Sequence, residues 1–116
     1  MENILHLAER SKELILDKSV IYSYSLNTFV KYWLDHRIDN LKFLTIRMRW
    51  FAEASIFNGI ESRITETTEV VNYRSYTGEL YRLSPGKRLR RGDGVIASLC
   101  YNPRTDTLNF GVVAVE

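Results

Sequence analysis

Apolar residues recur at helical spacing in SLNTFVKYWLDHRI, residues 25–38. Leu26, Phe29, Val30, Trp33 and Leu34 share one stripe, which predicts an amphipathic helix with Phe29 and Trp33 buried. Ser25 or Ser23 can cap its start, because a serine oxygen accepts a first-turn N–H, and Asp39-Asn40 is the expected end. The pattern then switches to period two. In LKFLTIRMRW, residues 41–50, Leu44, Ile46, Met48 and Trp50 alternate with Thr45, Arg47 and Arg49, as in a strand with one apolar face. A shorter copy lies upstream in SKELILDKS, where Leu14 and Leu16 stand thirty residues before Leu44 and Ile46. ENILHLAER, ahead of it, reads as a short helix. Strand, helix, strand in that order requires a crossover, so the two strands are expected to be parallel with the helix on one side. The spacing is also that of a leucine-rich repeat.

Beyond Trp50, FAEASIFNGI reads as a short helix ending at Gly59, since glycine tolerates the left-handed cap conformation, with a type I′ hairpin turn at Asn58-Gly59 as the alternative. The remainder is strand-rich. EVVNYRSY and GELYRL flank Thr77-Gly78, GKRLRR and VIASLCY flank Gly92-Asp93-Gly94, and LNFGVVAV follows. Glycines between β-prone runs supply the φ > 0 positions of tight hairpin turns. The tripeptide Arg91-Gly92-Asp93, which integrins bind on extracellular ligands, therefore straddles an exposed turn over 91–94. Pro85 and Pro103 are expected beside turns as well. The fold class is α+β: a single domain over 1–116, with a short leucine-rich-repeat-like βαβ unit in 1–50 and an antiparallel β meander in 51–116.

Composition narrows the setting. The 116 residues carry a net charge of +2, mildly basic and far from the footprint of a dedicated nucleic-acid binder. No apolar run approaches the roughly 18 residues that span a bilayer, and the charged N-terminus does not read as a signal peptide. Cys100 is the one cysteine, so no internal disulfide can form. An intracellular protein, cytoplasmic or nuclear and without a membrane partner, is expected; an extracellular adhesion ligand is not.

Motif order points to a family. HLAERSKELILDKSVIYSYSLNTFVKYWLDHRIDNLKFLTIRM resembles the type 2 F-box-associated domain of nematode F-box proteins. The residues that carry the resemblance are Leu26, Asn27, Phe29, Val30, Lys31 and Trp33 on the helix, then Leu41, Leu44 and Ile46, then Gly59-Ile60. Arg90, Arg91, Asp93, Gly94, Ala97, Ser98 and Leu99 match the family's later motif, with Gly92 a departure from the residue usual before the aspartate. The resemblance implies a non-enzymatic domain that recruits substrate proteins to an SCF-type ubiquitin ligase. This sequence contains no F-box, so contact with the Skp adaptor and cullin would need one supplied elsewhere.

Catalytic chemistry finds little support. His6 and His36 lack metal-ligand spacing, Cys100 falls in an apolar strand, Ser98 has no GxSxG context, and SPGKRL lacks the first glycine of a phosphate loop. No cofactor or metal is expected. Two binding surfaces remain. If Leu14, Leu16, Leu44 and Ile46 face the core, then Glu13, Ile15, Asp17, Phe43, Thr45 and Arg47 line the other face as a protein-binding surface, with Asp17 beside Arg47. The alternative is a small nucleic-acid-binding domain using Lys87, Arg88, Arg90 and Arg91, joined on one face by Arg47 and Arg49.

Overall fold

A computed structural model describes residues 2–115, and all side chains among them except those of 2–4, 6, 17–19, 84–85 and 114–115. Helix α1 (Glu2–Arg10) leads into β1 (Glu13–Tyr22), α2 (Ser23–Leu34) and β2 (Phe43–Arg49). A short α3 (Glu53–Ile56) and a 3-10 turn (Glu61–Arg63) precede β3 (Ile64–Arg74), β4 (Leu80–Arg90), β5 (Val95–Asn102) and β6 (Thr107–Val115). Among the described residues the strands form one mixed sheet in the order β1-β2-β6-β5-β4-β3. β1 and β2 are parallel and all other neighbours antiparallel. The thirty-residue offset is the register itself: Leu14 lies opposite Leu44 and Leu16 opposite Ile46. Because β6 pairs with β2, the βαβ unit and the meander share one sheet.

The helices cover one face. Leu26, Phe29, Val30 and Trp33 of α2 are fully buried with Leu44, Ile46 and Met48 of β2. Phe110 of β6 makes T-shaped contacts with both Phe29 and Trp33, at centroid distances of 5.2 and 5.5 Å. Each ring pair adds about 1 kcal/mol to its burial. Phe29 and Trp33 are buried as the helical stripe requires.

The opposite face curls round a second, smaller core. Phe43 stacks on Tyr73 of β3 at 4.4 Å and packs against Tyr81 of β4. Leu83 is buried outside the main cluster, and its side chain fills the space over Gly111, where a Cβ would meet it at 2.7 Å. Glu13 completes the curl. Its carboxylate accepts hydrogen bonds from the Tyr73 hydroxyl and from the Tyr76 N–H, so the start of edge strand β1 touches the end of edge strand β3. Burial, together with this contact, pushes the Tyr73 hydroxyl up to about 12.

Several local expectations are corrected. α2 begins at Ser23 with Tyr22 as its N-cap, and no side chain caps it. It ends at Leu34, four residues before Ile38, and the chain turns through His36 at φ 62°. GELYRL and GKRLRR belong to one strand, β4, which runs through Pro85. Proline has no N–H for a ladder, and the β3–β4 register slips there: Thr67 faces Gly86 and Val71 faces Ser84. Gly86 is needed beside it, because a Cβ would sit 2.6 Å from the Leu99 carbonyl. Residues 91–94 do form a turn, with the Gly94 N–H bonded to the Arg91 carbonyl at 3.0 Å. Gly94 alone supplies the positive φ; Gly92 does not.

Candidate recognition site

The predicted protein-binding residues do not form one open face. Phe43 and Thr45 are buried, Phe43 under the two tyrosines and Thr45 in a 2.6 Å hydrogen bond to Asn109. Glu13 is occupied by the sheet closure. Ile15 and Arg47 are exposed. The side chain of Asp17 lies outside the described residues. Its expected neighbour Arg47 pairs with Val20, because the β1–β2 register shifts between Leu16 and Val20.

The predicted basic cluster is divided between two faces and paired with acids. Lys87 meets Glu53 of α3 at 3.0 Å and also bonds Glu66, and these partners raise its pKa. Arg88 meets Glu69 at 2.7 Å. Arg90 is also engaged. Arg91 is not a surface cation: its side chain is only 7% exposed. It grips both Asp93 oxygens at 3.0 Å and Asp39 at 2.7 Å, with its guanidinium 4.8 Å from the Trp33 ring centre. The same guanidinium holds the Asp93 carboxyl down at about 2. Lys87 and Arg91 point to the helical side, Arg88 and Arg90 to the other, as strand alternation dictates. Arg47 and Arg49 share a sheet face with Arg88 and Arg90 but not with Lys87 and Arg91, so the six cations do not form one patch.

Cys100 is half-buried and burial pushes its thiol up, away from the thiolate a nucleophile needs. Among the described residues no group of three His, Cys, Asp or Glu side chains could hold a metal ion, and no helix is long and apolar enough to cross a membrane.

One surface does gather recognition chemistry: the end of β2 and the β1–α2 junction. Trp50 is 78% exposed and holds φ at 55°, a left-handed conformation that strains a non-glycine residue by roughly 1–2 kcal/mol. Ser23 fixes it there. Its hydroxyl donates to the Trp50 carbonyl at 3.1 Å and accepts from the Ala52 N–H at 2.9 Å. This is what Ser23 does in place of capping α2. Around Trp50 stand Tyr22, with ring centres 6.0 Å apart, and Tyr24, which stacks on Tyr22 at 6.1 Å and is itself 71% exposed.

Arg47 and Arg49 complete the surface. Both are exposed, and among the described residues no carboxylate lies within ion-pair distance of either. Arg49 lies opposite Tyr22, 6.0 Å from the Trp50 ring centre. Two open clefts flank Trp50. One, about 570 Å³, is lined by Val20, Arg47, Arg49, Phe51, Tyr101 and Asp106; the other, about 440 Å³, by Tyr22, Tyr24, Arg49 and Ala52. A wider cleft of about 750 Å³ lies over β4, β5 and β6, lined by Tyr81, Arg82, Cys100 and Asn109 and closed at one end by the turn at 103–105.

Of the binding residues named from sequence, Arg47 and Arg49 belong to this surface. Trp50 was expected inward with Leu44, Ile46 and Met48, but the strand ends one residue earlier. The alternation Tyr22-Ser23-Tyr24 at the start of the helix was the available signal for the rest. No protein-family model, curated protein or solved structure matches this chain.

Proposed function

We propose that this chain is a non-enzymatic protein-recognition module whose contact surface is centred on Trp50. The supporting observation is the strained, latched and solvent-facing placement of that ring. Folding gains little from it, since glycine or asparagine would hold the same backbone with less strain. Exposed Trp and Tyr rings beside arginines have the composition of protein-binding hot spots.

On this reading the β1–α2–β2 unit is leucine-rich-repeat-like, and the resemblance to type 2 F-box-associated domains gives the bound proteins a fate. They would be substrates for ubiquitin transfer wherever an F-box, Skp adaptor and cullin are supplied. The single cysteine and absence of a disulfide fit a reducing compartment, cytoplasmic or nuclear.

The test is binding between purified components. Proteins retained by the immobilised chain are identified, purified and titrated against wild type and a Tyr24→Ser/Trp50→Ser variant. The expected result is at least one partner whose binding requires the rings. Equal binding by both forms, or retention of nucleic acid alone, would refute the reading. Titration with purified Skp adaptor and cullin then separates a ligase subunit from a substrate-facing domain that needs an F-box in trans.

A further inference from the structure

We infer that this surface takes an extended, acidic segment of a partner protein, with carboxylates at alternate positions beside an apolar side chain. The inference rests on the protein-recognition reading and names the chemistry of the partner.

Charge complementarity carries it. The other clustered cations already have partners: Lys87 with Glu53 and Glu66, Arg88 with Glu69, Arg91 with Asp39 and Asp93. Arg47 and Arg49 stand apart, solvent-facing and with no carboxylate within ion-pair distance among the described residues. As alternate residues of one strand they project from the same face about 7 Å apart. An extended peptide repeats with the same two-residue spacing, so acidic residues at positions i and i+2 would meet one guanidinium each, as charge-assisted and bidentate pairs. Trp50 follows directly on Arg49, and the clefts on its two sides have aromatic walls in Tyr22, Tyr24, Phe51 and Tyr101. The next side chain of such a segment, if aromatic or branched aliphatic, reaches one of them.

Single-stranded nucleic acid would also meet rings and arginines here, but the charge pattern is wrong for it. A phosphodiester chain carries a charge at every unit and needs a run of free cations. This surface offers two, and the carboxylate of Asp106 stands in the same cleft, held by the Tyr101 hydroxyl at 2.8 Å. A peptide can restrict its charge to two positions.

The test selects a phage-displayed library of randomised linear peptides on the whole chain and titrates the synthetic consensus. Trp50 emission reports binding, since Trp33 is buried. The expected consensus has acidic residues two apart next to an aromatic or branched aliphatic residue. An Arg47→Glu/Arg49→Glu variant should fold normally and bind about tenfold or more weakly. No enrichment, or binding that survives the charge reversal, overturns the inference. Basic or neutral peptides that still require Trp50 overturn it while leaving the protein-recognition reading intact. Oligothymidylate binding that is lost in the same variant, with no peptide enriched, overturns both.

Discussion

The guanidinium of Arg91 lies 4.8 Å from the centre of the Trp33 indole, while its nitrogens hold Asp39 on one side and Asp93 on the other. Three segments meet at this side chain: the end of α2, the loop after it and the β4–β5 turn. The RGD tripeptide is thus a fold element. Its arginine is turned inward and its aspartate is spent on that arginine, so neither end is presented as an adhesion ligand would need.

Arg91→Ala should destabilise the chain by about 2–3 kcal/mol, because the buried guanidinium has several charge-assisted bonds and a ring contact, whereas its carboxylate partners can rehydrate. Arg91→Lys should recover only part of this, since an ammonium cannot make the forked contact to Asp93. Urea unfolding measures both. A loss near zero for Arg91→Ala would show that the staple is decorative.

Acid should weaken the same staple. Unfolded Asp93 takes up its proton near its ordinary value of 3.8, whereas the folded carboxyl resists until about 2. Its contribution is therefore complete above the unfolded value and is lost as pH falls through the folded one. Stability followed across that window should fall more steeply for wild type than for Asp93→Asn. Parallel curves would contradict the pairing.

Ser23→Ala should destabilise by about 1–2 kcal/mol, since both hydrogen bonds of the hydroxyl span the β1–α2 junction and the residues after β2. The loss should be accompanied by faster hydrogen exchange at the Ala52 amide. Unchanged exchange there would mean that Ser23 does not hold the Trp50 segment.

Much of the scaffold was legible in the sequence. The offset of Leu14 and Leu16 from Leu44 and Ile46 became the parallel register because strand repeats of equal spacing pair in step, and the Leu26–Leu34 stripe became the core face of α2. What could not be read depended on distant partners. Phe43 looked outward by alternation and is so oriented, but Tyr73 and Tyr81 fold over it from strands much later in the chain. The run Lys87 to Arg91 looked like a basic patch because Glu53, Glu66, Glu69 and Asp39, which neutralise it, lie far off in sequence. Trp50 continued a period-two pattern and so looked buried. Periodicity marks which face a residue shares, not the residue at which the strand stops.

Trp50→Gly tests the central claim most directly, read for stability and binding on the same sample. Glycine relieves the positive φ and removes a side chain that is mostly in solvent, so the variant should be more stable than wild type by roughly 1 kcal/mol. It should at the same time lose binding to the proteins or peptides that wild type recognises. A more stable chain that no longer binds is the result this account predicts. A variant that binds as well as wild type, or one that unfolds more easily, would show that Trp50 is kept for folding and that the recognition surface lies elsewhere.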